Sequence, residues 1–91
     1  MNLTDHDLRV LRLASQNLEG RVSFFLSDEG TVMLAGERGG EPLPARDALF
    51  RLEAYGLLQR VLNRSFLLTP QGWDTAASEA AAEWMAFDQG A

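Results

Sequence analysis

The stretch that most constrains this chain runs from Pro44 to Trp73, PARDALFRLEAYGLLQRVLNRSFLLTPQGW. Its first third has a helical period: Ala45, Ala48, Leu49, Leu52 and Tyr55 share one face. Pro44 suits the first helical turn, where its missing N–H costs nothing, and Gly56 stops the helix. Leu57 to Leu62 and Ser65 to Thr69 read as short strands joined by Asn63-Arg64, a two-residue turn whose Asn tolerates positive φ. Thr69-Pro70 then opens a last helix, with Thr as N-cap and Pro at the first position. A Leu-rich ribbon this short must be covered on at least one side, and the flanking helices are the nearest cover.

The other segments supply more of that cover. Residues 4–18 form a predicted helix with Thr4 as N-cap and Asp5 and Asp7 in the first turn, where carboxylates suit the helix dipole. Leu3 and Leu8 have the spacing of a hydrophobic staple. Leu8, Leu11, Ala14, Ser15 and Leu18 fall on one face, and Gly20 marks the stop. From residue 21 the period changes to two. Val22, Phe24 and Leu26 alternate with Ser23, Phe25 and Ser27, and a polar loop ending in Gly30 leads to a second strand over 31–35. Phe25 is on the alternate face, so either both faces of this hairpin are partly covered or Phe25 marks a contact surface. Residues 36–44, rich in Gly and Pro, read as a loop.

In the last helix Trp73, Ala77, Ala80, Trp84 and Phe87 recur at spacings of four and three, a heptad-like seam. Its small residues admit a second helix closely, within the chain or from a second copy, and the seam points to a homodimer. Residues 88–91 are expected to fray. The expected fold is a single α+β domain over residues 1–91, in the order α-β-β-α-β-β-α.

Composition narrows the chemistry. Cysteine is absent, which removes disulfides, thiolate metal sites and Cys nucleophiles. No apolar run reaches membrane-spanning length, and MNLTDHDLRV does not read as a signal peptide, so the cytoplasm is the expected location. His6, the single histidine, has no further ligands grouped with it, and reads as a surface residue rather than a metal ligand. No Ser/His/Asp set, phosphate-cradling loop or paired buried carboxylates can be discerned. No catalytic residue, cofactor or metal is expected. The net charge of -5 opposes generic polyanion binding. The charge is uneven, however. Residues 44–72 carry four arginines against two acids, whereas residues 73–91 carry four acids and no base.

Residues 44–73 resemble the recognition helix and wing of winged helix-turn-helix proteins of the MarR and PadR kind. The matching residues are Leu49, Leu52 and Glu53, then Gly56-Leu57-Leu58 with Arg60 entering the wing, and Leu68-Thr69, Pro70 and Gly72 leaving it. The resemblance covers about a third of the chain, and its motif is a packing signature. Such domains place a short helix before the recognition helix, where this chain has a β-hairpin and a Gly-rich loop. The resemblance implies a small DNA-binding or transcription-regulating protein on double-stranded DNA. Arg46, Phe50 and Arg51 would then face the groove, and Arg60, Asn63 and Arg64 would form the wing. The acidic balance supports an alternative of a different class: a winged-helix-like protein-interaction module, either an adaptor or an inhibitor of a nucleic-acid-handling complex such as a phage or mobile element encodes. Phe25, Phe50 and the acidic last helix would be its contact surface.

Overall fold

The computed structural model describes the backbone of residues 2–36 and 40–89, with side chains of these up to Ala80. Three helices, α1 (Asp5–Ser15), α2 (Arg46–Ala54) and α3 (Pro70–Gln89), accompany five strands: β1 (Arg21–Leu26), β2 (Val32–Leu34), β3 (Leu43–Pro44), β4 (Leu58–Val61) and β5 (Ser65–Leu68). The strands form one antiparallel sheet in the order β3-β2-β1-β5-β4. The fold is α+β, in the expected order apart from the added two-residue β3.

Strand β1 is the hinge of this topology. Its first half pairs with β5 (Val22 opposite Phe66) and its second half with β2 (Phe25 opposite Met33), joining hairpin to ribbon. The core fills with Val10, Leu11 and Ala14 from α1, Ala48, Leu49 and Leu52 from α2, and Leu34, Leu58, Phe66 and Leu68 from the sheet. Each set follows its element's period, so one face of each element is buried.

Helix ends follow local chemistry. Thr4 and Asp7 form a reciprocal capping box at the start of α1, with both hydrogen bonds at 3.1 Å. At the end of α2, Leu57 N–H donates to Leu52 C=O and Gly56 N–H to Glu53 C=O, with Gly56 at φ 76°. This is a Schellman stop, and buried Leu52 and Leu57 provide its apolar contact. Thr69 Oγ1 accepts from Gly72 N–H at 3.0 Å, capping α3. A Cβ on Gly72 would stand 2.0 Å from Leu57 C=O, so the first turn of α3 lies directly on the chain entering β4.

Four local expectations are corrected. Helix α1 ends at Ser15, not residue 18, and Leu18 is fully exposed. The Asn17 side chain clips the backbone of Arg21 through two hydrogen bonds (2.8 and 2.9 Å), and Gly20, at φ 67°, turns the chain into β1 before another helical turn can form. Residues 43–44 are strand rather than loop. Pro44 sits opposite Met33 on the sheet edge, where it owes no N–H to the ladder, and Ala45 precedes the helix. The ribbon turn spans Leu62 to Arg64, because Val61 pairs with Ser65. Both Asn63 (φ 66°) and Arg64 (φ 56°) adopt left-handed backbone.

Candidate interaction site

The arginines expected on one face are divided by the fold. Arg51 crosses to α1, where its Nη2 and Nε donate to the Asp7 carboxylate at 2.8–3.2 Å. Asp7 is fully buried. Burial alone would push its carboxyl up, but hydrogen bonds from Arg51 and from Thr4 outweigh it and hold the carboxyl below its ordinary value. Arg51, expected to face a groove, is therefore a clamp between α1 and α2. Asp7, expected as a partner of the helix dipole, is also its buried anchor.

Arg46, Phe50 and Arg60 do come together. Arg46 and Phe50 are one helical turn apart, and the Arg46 guanidinium lies 5.7 Å from the Phe50 ring centroid. Arg60 arrives from β4. Its guanidinium is 5.7 Å from the Phe50 centroid and 5.4 Å from that of Phe66, the residue directly opposite it in the ladder. Glu53, on the next turn of α2, accepts from Arg60 at 3.1 Å. Such exposed contacts are each worth about 0.5–1 kcal/mol or less, so they shape this face without locking it. Phe50 remains 48% exposed.

Beneath these groups lies a cavity of about 90 Å³, with Phe24, Val32, Leu49 and Phe66 in its walls. Phe24 and Phe66 meet at 6.1 Å with rings tilted by 46°. Phe24, Phe66 and Glu53 were not among the residues expected at the site. Phe24 and Phe66 were legible as inward strand residues, but their union with Arg60 depends on the ribbon register.

Asn63 and Arg64 stand exposed at the ribbon tip, and the Arg64 C=O accepts from Phe24 N–H at 2.8 Å. Arg64 makes no ion pair among the described residues. Together with Arg46 and Arg60 it gives three arginines on α2 and the ribbon, interrupted by Asp47 and Glu53. Phe25 is exposed, so its face of the hairpin is not covered there.

The α3 seam divides too. The Trp73 ring is half-buried over Gly20 and Leu68, within the chain. Ala77 and Ala80 are exposed, and α3 borders a groove of about 70 Å³ against Leu8, Leu11 and Ser15 of α1. Trp84 and Phe87 lie outside the described side chains. The His6 ring contacts the Pro44 C=O, tying the first turn of α1 to β3. Among the described residues no group of three or more His, Asp or Glu is placed to hold a metal ion, and no helix is long and apolar enough to cross a membrane. No protein-family model, curated protein or solved structure matched the chain.

Proposed function

We propose that this protein is a non-enzymatic, winged-helix-like interaction module whose contact face is centred on Phe50 and recognises a protein. The observation that carries the reading is the pairing of the arginines. Of the four that a DNA-reading face would need, Arg51 is held by buried Asp7, and Glu53 stands against Arg60. A duplex-binding face gains affinity from several uncompensated cations, and acids among them repel phosphate. An exposed aromatic flanked by arginine has the composition of a protein–protein hot spot. The helix, ribbon and helix over residues 44–73 are the scaffold, in the manner of the winged-helix proteins that this stretch resembles.

A second reading keeps the ribbon as a DNA-touching wing. It rests on Arg64, which holds left-handed backbone where glycine follows asparagine most readily. Strain retained in an exposed arginine suggests use of its side chain. We also infer that the exposed Ala77–Ala80 face of α3 pairs two copies of the chain.

Affinity capture from the protein's own cells, comparing wild type with Phe50→Ala, tests the leading reading. A partner enriched on wild type and lost on the folded variant is expected, and equal capture would remove the assignment. Pairing is tested by light scattering. Twice the chain mass of 10.1 kDa is expected for wild type and the single mass for Ala80→Arg, whereas a monomeric wild type ends the dimer proposal.

A further inference from the structure

Resting on the protein-binding reading, we infer that the Phe50 face takes an acidic segment of the partner, which inserts one aliphatic side chain between Phe50 and the Phe24–Phe66 pair. Size comes first. The cavity of about 90 Å³ is well below the roughly 150 Å³ that accommodates a benzene ring. A Leu, Val or Met side chain suits it, while an indole or a nucleobase exceeds it. Phe24, Val32, Leu49, Phe50 and Phe66 line it together with Arg46 and Arg60, so an entering apolar group gains by leaving water.

Charge comes second. Among the described residues the Arg46 guanidinium has a ring contact and no carboxylate partner. Arg60 shares its charge with Glu53 in a pair in which both side chains remain open to solvent (55% and 35% exposed), so an incoming carboxylate can displace Glu53. Carboxylates on either side of the inserted residue would meet Arg46 and Arg60 with charge-assisted hydrogen bonds, strengthened as the partner excludes water. A peptide can carry one aliphatic side chain between its carboxylates, whereas a nucleic-acid strand offers only bases too large for the cavity, which sets an acidic peptide above a nucleic-acid strand.

Titrating the isotope-labelled full chain with short synthetic peptides, followed by NMR, tests this. The probes are a Leu flanked by Asp and Glu, the same peptide with Ser for Leu, the same with Lys for every acid, and an oligothymidylate. The acidic Leu peptide is expected to saturate shifts at the Phe50 amide and at the Arg46 and Arg60 Nε–H groups. The Ser peptide should bind at least roughly tenfold more weakly, the scale set by losing several buried methylenes. The Lys peptide should leave these signals unmoved. Phe50→Ala and Arg46→Glu should each weaken the acidic Leu peptide about tenfold with the spectrum still dispersed, and Glu53→Gln should tighten it. The inference is overturned if the acidic Leu peptide leaves the face unshifted, if Ser replaces Leu without loss, or if oligothymidylate saturates the same signals more tightly. A cellular partner lost on Phe50→Ala while no acidic peptide binds would leave the protein-binding reading standing and remove the inserted side chain. A partner indifferent to Phe50→Ala would remove both.

Discussion

The Asp7–Arg51 and Glu53–Arg60 pairs are the same chemistry in two settings. In the first the carboxylate has no solvent contact, two helices meet over it, and Thr4 helps Arg51 to satisfy it. In the second both partners reach water and the guanidinium leans on two aromatic rings. A buried charge is costly to leave unpaired, whereas an exposed pair can exchange partners at little cost. The fold thus commits one arginine to architecture and leaves the other available for recognition, although both lie within one short stretch of sequence.

The largest effect should come from breaking the buried pair from its exposed end. Arg51→Ala leaves the Asp7 charge uncompensated and should cause the largest loss of stability in urea denaturation. Asp7→Asn should cost less, about 1–2 kcal/mol, because the orphaned Arg51 side chain can turn to water and Asn can still accept from Thr4. A larger loss for Asp7→Asn than for Arg51→Ala would reverse the assignment of which partner is anchored.

The two proteins should also respond differently to acid. In wild type the Asp7 carboxyl is held below its unfolded value of about 3.9, so its contribution is complete above that pH and disappears as pH falls through the folded value. In Arg51→Ala only the Thr4 hydrogen bonds are left to oppose burial, so the carboxyl moves up from its wild-type position and the loss of stability in acid should shrink. Urea midpoints recorded across the acid range check both slopes, and parallel curves would contradict the account.

Glu53→Gln should change stability by about 0.5 kcal/mol or less, as exposed pairs do, and a loss comparable to that of Arg51→Ala would show that the two pairs are not different in kind. Arg64→Gly relieves left-handed strain at the ribbon tip and should stabilise by up to about 1 kcal/mol in thermal denaturation. A loss of stability there would mean that the arginine supports the fold rather than a surface role.

Much of this architecture was legible in the residues. Thr4, Gly56 and Thr69-Pro70 act through their own neighbours, so capping rules locate the start of α1, the end of α2 and the start of α3. Strand β3 was hidden because its two residues form a strand only through β2, and Pro44 is equally suited to opening a helix. Within the site, Arg46 and Phe50 could be paired from their helical spacing. The Arg60–Phe66 contact needed the ladder register, which a three-residue rather than two-residue turn decides. Arg51 misled because helical periodicity places it on the border of the buried face, and only the approach of α1 shows which way its side chain turns. The Asp7–Arg51 partnership spans 44 positions and left no local signal.

Whether the face reads protein or duplex DNA is tested most directly by fluorescence anisotropy of the intact protein with a short labelled mixed-sequence duplex at low salt. The acids held against Arg51 and Arg60 predict no saturable complex. Saturable binding that falls steeply with added salt and is lost in Arg46→Ala and Arg64→Ala would contradict the account and establish the ribbon as a DNA-binding wing.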